Sequence, residues 1–77
     1  MTLRFPSLKT RLLALVRERF AGGPVLGARL ADCALELGTH GGIVTRKLRE
    51  LAAERRLVRE YNPKGYVVYS LPPETPA

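Results

Sequence analysis

In this 77-residue sequence, the residues whose type and spacing indicate a chemistry are Lys and Arg, and that chemistry is the binding of anions. Thirteen Lys and Arg accompany seven Asp and Glu, which gives a formal net charge of +6 and a pI near 10.3. The imbalance is concentrated between Thr39 and Arg56, where five basic side chains accompany two acidic ones. A stretch with this charge favours an anionic partner, and both nucleic acid and an anionic membrane surface fit that description.

Hydrophobic periodicity places the basic stretch on a helix. Three apolar residues repeat there at i, i+4 and i+7: Val44, Leu48 and Leu51. The spacing predicts a third helix over about 40–55, with these three residues on the core. The opposite face then presents Thr45, Arg46 and Arg49.

Two further helices are predicted upstream. Ser7 is typical of an N-cap and precedes an apolar stripe, so helix 1 should run from about Ser7 to Phe20. The stripe consists of Leu8, Leu12, Leu15, Val16 and Phe20. Gly22, Gly23 and Pro24 then interrupt the chain.

Helix 2 is predicted from about Ala28 to Gly38. Leu30, Ala34 and Leu37 repeat at helical spacing, and Gly38 is suited to a left-handed C-cap. Only residues 39–42 separate this helix from helix 3, so the two must cross sharply.

A hairpin is predicted after helix 3. Residues 57–71 are rich in β-branched and aromatic side chains around the turn Asn62 to Gly65. An isolated hairpin is marginal in water, so we expect its tyrosines, Tyr61, Tyr66 and above all Tyr69, to pack it on the helices. The predicted organisation is an N-terminal arm over 1–6, one domain over 7–71 and a Pro-rich tail over 72–77.

The order of these elements, with a short extended segment at Val25-Leu26, resembles the winged helix-turn-helix family of DNA-binding domains. The resemblance is carried by Leu30-Ala31, Leu37-Gly38, Val44 to Leu51, Leu57-Val58 and Tyr66 to Leu71, and it spans about Ser7 to Leu71. It implies an α+β, mainly α fold with three helices and a C-terminal two-stranded β-hairpin wing.

The resemblance also implies that helix 3 enters the major groove of double-stranded DNA. Arginine can bond guanine O6 and N7 in a bidentate fork, so we expect Arg46 first and Arg49 second to contact bases. Glycines at the start of helix 3 would let backbone N–H groups approach a phosphate, and the wing would contact the DNA backbone. The residues expected to contact DNA are His40, Gly41, Gly42, Thr45, Arg46, Arg49, Asn62 and Lys64.

Several alternatives stay open. Arg46, Lys47 and Arg49 also suit the polar face of an amphipathic helix that pairs with Glu50 or Glu54. The alternative function is a winged-helix protein-protein interaction module of transcription or replication machinery, since a fold does not define a function. RNA binding is a third hypothesis. A homodimer also remains open, because one recognition helix reads only a few base pairs.

Other function classes find little support in the sequence. One His, one Asp and two Ser, without nucleophile-base spacing, predict no catalytic activity. Cys33 and His40 are too few for a closed zinc site, so no metal or cofactor is expected and Cys33 should be a small packed residue.

Location is predicted from apolar runs and composition. No run approaches the roughly 20 residues of a transmembrane helix, and Met1 to Pro6 lack the apolar core of a signal peptide. We therefore expect no membrane partner and a cytoplasmic protein. Arginine outnumbers lysine ten to three, which favours GC-rich coding in a prokaryote or phage and a nucleoid-associated role.

Overall fold

The computed structural model describes residues 7–73 and contains three helices and three short strands. In chain order they are α1 (Leu8–Arg19), β1 (Val25–Leu26), α2 (Gly27–Ala31), α3 (Gly41–Ala53), β2 (Val58–Tyr61) and β3 (Val67–Ser70). This confirms the predicted α+β class with three helices. The predicted arm over 1–6 and the last four residues of the predicted tail lie outside the described residues. No helix within 7–73 has the length and apolar character needed to cross a membrane.

Helix α1 matches its predicted bounds to within one residue. Ser7 is the N-cap, and its hydroxyl oxygen accepts a hydrogen bond from the Thr10 N–H at 3.2 Å. Leu12 and Val16 are completely buried, because they face α3 and the sheet through the same core cluster. Phe20, the C-cap, is partly buried against that cluster. The apolar stripe therefore orients this helix as its spacing predicts.

Helix α2 is shorter than predicted, because it ends at Ala31 rather than near Gly38. The chain continues in tight turns, in which the Cys33 N–H bonds the Leu30 carbonyl at 3.0 Å and later N–H groups also bond three residues back. Gly38 has φ +71° and the Thr39 N–H bonds the Ala34 carbonyl at 3.0 Å, which is the pattern of a Schellman motif. The left-handed conformation predicted for Gly38 is thus confirmed, whereas the prediction of one helix that continues to Gly38 is wrong, because α2 ends at Ala31.

Apolar spacing in this segment still sets its packing. Leu30, Ala34 and Leu37 are all buried, as predicted, and so is Cys33. The Leu37 N–H still bonds the Cys33 carbonyl at 3.3 Å, which is the i, i+4 pattern of an α-helix, and the turns keep all three residues in the core cluster. The burial therefore survives the change in backbone geometry.

Helix α3 begins at Gly41, directly after the N-cap His40, and ends at Ala53. Its three predicted core residues are buried to 1% exposure or less: Val44, Leu48 and Leu51. The chain leaves the helix through Arg55, which has φ 62°, and the Arg56 N–H bonds the Leu51 carbonyl at 2.9 Å. An L-residue in this left-handed conformation costs about 1–2 kcal/mol, so the helix end carries local strain.

The sheet has three strands rather than the two predicted. Its order is β1-β3-β2 and both pairings are antiparallel, with Val25 opposite Tyr69 and Leu26 opposite Val68. Gly23 makes this possible, because a Cβ on it would lie 2.5 Å from the Tyr69 carbonyl oxygen. The Leu71 N–H also donates to the Gly22 carbonyl at 2.8 Å. The two glycines therefore let the chain after α1 lie against β3.

The turn between β2 and β3 is organised by Asn62. Its side-chain Oδ1 accepts from the N–H groups of Lys64 at 3.0 Å and Tyr66 at 2.9 Å. Gly65 has φ +87°, a value that favours glycine. The loop spans 62–66, one residue more than predicted. Tyr69, at 3% exposure, packs the hairpin on the helices as expected, whereas Tyr61 and Tyr66 are exposed and do not.

Candidate functional site

The exposed face of α3 carries the three side chains predicted to read DNA. Thr45, Arg46 and Arg49 are all exposed, and they lie opposite the buried side of the same helix. Thr45 and Arg49 also line a cleft between α3 and the hairpin, whereas Arg46 lies outside that lining. The face therefore has two parts, a cleft edge and an open part at Arg46.

Ion pairing distinguishes the basic residues of α3 from one another. Lys47 Nζ lies 3.2 Å from Glu50 Oε2, and Lys9 of α1 pairs with Glu50 at 3.6 Å and also with Glu54. Within residues 7–73, no carboxylate lies within 4.0 Å of the guanidinium groups of Arg46 or Arg49. The alternative that the basic residues of α3 pair with Glu50 or Glu54 thus holds for Lys47, but it does not hold for Arg46 and Arg49.

The pKa shifts of this cluster follow from the pairs. A hydrogen bond from Lys47, reinforced by Coulombic attraction to Lys47 and Lys9, lowers the pKa of Glu50 below its ordinary value. The hydrogen bond to Glu54 raises the pKa of Lys9. The two carboxylates near the end of α3 are therefore neutralised by Lys9 and Lys47, at the side of the helix next to α1.

The first turn of α3 is formed by His40, Gly41 and Gly42. The His40 carbonyl accepts from the N–H groups of Ile43 and Val44 at 3.1 Å, but its imidazole makes no capping hydrogen bond. A Cβ on Gly42 would lie 3.4 Å from that imidazole, so the ring lies close to the glycine backbone. The first N–H groups of a helix lack intrahelical partners, and here no side chain caps them.

Asn62 and Lys64 have different roles at the hairpin tip. Because Asn62 Oδ1 already accepts two backbone N–H groups, only the Nδ2 group of its amide is available to a partner. Lys64 is exposed and has no carboxylate within 4.0 Å in the described part of the chain. Asn62 therefore shapes the tip, and Lys64 carries its charge.

A cleft of about 350 Å³ lies between α3, the start of α2 and the hairpin. Arg59 of β2 and Tyr66 line it, although neither was expected from the sequence to be a site residue. The Arg59 guanidinium carbon lies 5.5 Å from the centre of the Tyr61 ring. A side-chain hydrogen bond to Tyr69, followed by the Coulombic effect of Tyr61, raises the pKa of Arg59. Its position opposite Tyr69 in the hairpin register directs it toward the helices.

The described residues contain no cluster of side chains that could bind a metal ion. Between residues 7 and 73, no group of three or more His, Cys, Asp and Glu side chains is placed to hold an ion. Cys33 is buried, and its Sγ lies 3.8 Å from the Arg19 guanidinium and 3.5 Å from the Arg29 carbonyl oxygen.

Comparison with known proteins adds no relative to this picture. No protein-family model matches the chain, and no curated protein and no solved structure shows significant similarity to it. The functional interpretation therefore depends on the geometry and charge of the chain itself.

Proposed function

We propose that this chain is a winged helix-turn-helix domain that binds double-stranded DNA in a sequence-specific manner. The observation that carries the proposal is the pair of guanidinium groups of Arg46 and Arg49 on the exposed face of α3. In the described residues neither has a carboxylate within 4.0 Å, although the adjacent Lys47 is ion-paired. An amphipathic helix kept only for solubility has no need to leave its arginines unpaired while the adjacent Lys47 is neutralised.

The topology supports the proposal. The order of helix, strand, two helices and hairpin, with β1 beside β3, is compatible with the winged arrangement, in which the β2–β3 hairpin is the wing. The wing and α3 flank one cleft, so both reach the same side of the molecule. A duplex that receives α3 in its major groove would meet the wing along the adjacent backbone.

Each predicted contact has a distinct role in this proposal. Arg46, at the open part of the face, reads guanine, and Arg49 supports it from the cleft edge. Thr45 contacts a phosphate or a thymine methyl group. The uncapped N–H groups at Gly41 and Gly42, next to His40, approach a backbone phosphate, which the helix dipole favours.

The wing supplies affinity rather than specificity. Lys64 at its tip contacts a phosphate. The amide nitrogen of Asn62, two residues before Lys64, adds a second contact with the DNA backbone. The proposed role is that of a small transcriptional regulator or accessory factor, encoded by a prokaryote or phage, that acts in the cytoplasm of the prokaryotic cell. A homodimer would extend the site to two half-sites.

Two neighbouring residues provide the decisive experiment. Arg46→Gln and Lys47→Gln each remove one positive charge from adjacent positions of α3, but only Lys47 has a carboxylate partner in the described structure. Fluorescence anisotropy with a labelled duplex, after selection of a preferred sequence, should show binding weakened at least about tenfold by Arg46→Gln and less than about threefold by Lys47→Gln. Equal effects would reject Arg46 as the reading residue, and no effect of either variant would reject α3 as the reading helix.

Parallel titrations with single-stranded DNA and single-stranded RNA distinguish the other nucleic acids. Tyr61 and Tyr66 are 64% and 61% exposed, and exposed aromatic rings are the usual stacking partners of unpaired bases. Tighter binding of either single strand than of the selected duplex would replace the duplex proposal.

A second candidate function is protein docking, and one observation favours it. Leu35, in the turns between α2 and α3, is 89% exposed, although large aliphatic side chains contribute most when buried. A single exposed leucine is common on soluble proteins, so the observation is weaker than the arginine pair. If Leu35→Ser abolished an interaction with a protein partner while Arg46→Gln left it intact, docking would be the function.

A further inference from the structure

The cleft between α3 and the hairpin combines apolar walls with two positive charges. Leu26, Ala28, Tyr66 and Val67 supply accessible apolar surface, and the buried Leu48 and Tyr69 form its floor. Arg49 enters from α3 and Arg59 from β2, so the two guanidinium groups come from different walls. Within residues 7–73, neither guanidinium has a carboxylate within 4.0 Å.

We infer that this cleft binds a small amphipathic anion, a molecule with an apolar body and one carboxylate group. The apolar body would cover Leu26 and Val67, and the carboxylate would accept hydrogen bonds from Arg49 and Arg59. Guanidinium groups bind carboxylates in a bidentate fork, and the bond is stronger beside an apolar wall.

The dimensions and lining restrict the ligand. About 350 Å³ is near the lower end of ligand pockets, which span about 300–1,000 Å³, so the ligand is smaller than a dinucleotide cofactor. A DNA phosphate has no apolar body and would leave Leu26, Tyr66 and Val67 uncovered. The apolar lining is therefore not accounted for by backbone binding.

Ligand binding here would compete with DNA, and this part of the inference rests on the proposed function. Thr45 and Arg49 belong both to the cleft lining and to the proposed reading face. An anion held by Arg49 would neutralise one of the two unpartnered arginines of α3. The small molecule would thus act as an effector that releases the duplex.

A direct binding experiment without DNA tests the cleft. The probe is 2-naphthoate, with 2-naphthalenemethanol as the neutral analogue and acetate as the anion that lacks an apolar body. By calorimetric titration, 2-naphthoate should bind at least about tenfold more tightly than either control, because only it uses both features of the cleft. In ¹⁵N spectra, the amide signals of Thr45 and Val67 should shift, while that of Leu13 on α1 should not.

Variants show whether the cleft is responsible. Arg49→Gln and Arg59→Gln should each weaken naphthoate binding at least about fivefold, whereas Arg17→Gln, an exposed position on α1, should not change it. Ala28→Phe keeps both charges and fills the cleft, so it should also weaken binding. Circular dichroism confirms that each variant is folded. If the probe does not bind, or if it binds all variants equally, the inference is wrong.

Competition with a labelled duplex then separates the two proposals. Release of the duplex by 2-naphthoate, but not by acetate at the same ionic strength, supports the effector role. Naphthoate binding by a protein that binds no duplex would retain the ligand site and reject the proposed function. Simultaneous binding of duplex and naphthoate would reject the competition.

Discussion

Val25 and Tyr69 lie directly opposite each other in the sheet, and both are buried, at 5% and 3% exposure. This pair joins the segment after α1 to the last strand, so it fixes the hairpin against the helices. The approach depends on Gly23, whose position would bring a Cβ to 2.5 Å from the Tyr69 carbonyl oxygen.

Gly23→Ala should therefore destabilise the protein by about 2–5 kcal/mol, because the substitution adds both a steric conflict and left-handed strain. Gly38→Ala is the matched control. Gly38 has φ +71°, but a Cβ added to it would meet no atom within 4 Å, so the substitution should cost only about 1–2 kcal/mol. Urea unfolding of the two variants measures the difference, and equal losses would exclude the close approach of Gly23 to β3.

Leu48→Ala should cost about 2–5 kcal/mol, because Leu48 is 1% exposed at the centre of α3 and the substitution removes buried surface and leaves a cavity. Arg49→Ala, one position further along, should change the free energy of unfolding by less than about 0.5 kcal/mol. If urea melts gave Arg49→Ala the larger loss, α3 would be rotated from its described orientation.

Glu50→Gln should make stability less sensitive to acid. The interactions with Lys47 and Lys9 lower the pKa of Glu50 from its ordinary 4.5. A carboxyl group with a lowered pKa contributes stability above its ordinary pKa and loses it as the pH falls through its folded pKa. The drop in unfolding free energy from about pH 6 to about pH 3 should thus be smaller in Glu50→Gln than in the parent. Glu60→Gln, an exposed position without an ion-pair partner in the described residues, should leave the drop unchanged.

Duplex affinity should fall steeply with salt, because binding would release counterions from the phosphates that the basic side chains contact. If four to six phosphates are neutralised, the plot of log K against log salt concentration should have a slope of about −3 to −6. Anisotropy titrations across a salt series measure it. A slope near zero would contradict an electrostatic interface.

Arg46→Ala should remove the preference for the selected sequence, whereas Lys64→Ala should weaken all duplexes about equally. The reason is that a base contact carries sequence information and a phosphate contact does not. Repeated selection from a random duplex library with each variant tests the distinction. Recovery of the parental consensus by the Arg46 variant would reassign the reading residue.

The sequence predicted α1 and α3 well, because an N-cap residue and apolar spacing are local signals. Ser7 marks the start of α1, and the spacing of Val44, Leu48 and Leu51 identified the buried side of α3. The end of α2 was missed because tight turns and an α-helix bury Ala34 and Leu37 equally. Strand β1 was predicted only as an extended segment, because its pairing partner Tyr69 is distant in the chain and the pairing is non-local.

Helical periodicity predicted which residues of α3 are exposed, but it did not predict the cleft between α3 and the hairpin. The exposure of Arg46 and Arg49 follows from helical periodicity, which the sequence contains. Arg59 was not predicted as a site residue, because its direction depends on the hairpin register. That register is set by the five-residue loop over 62–66, whereas the sequence pattern predicted a four-residue turn. Arg46 and Lys47 both lie at helical spacing from Glu50, at i, i+4 and i, i+3, so the local pattern does not distinguish them. The structure does, because the Lys47 ammonium contacts the Glu50 carboxylate.

Lys9 and Lys47 balance the charge of Glu50 and Glu54 on the side of α3 next to α1. In the described residues no carboxylate lies within 4.0 Å of Arg46 or Arg49, so the net positive charge of this helix lies on its exposed side. If the domain binds DNA as proposed, the field of this polyanion would turn that side toward the duplex before contact, over roughly the 8 Å screening distance of physiological salt. A larger share of diffusive encounters would then begin in the binding orientation.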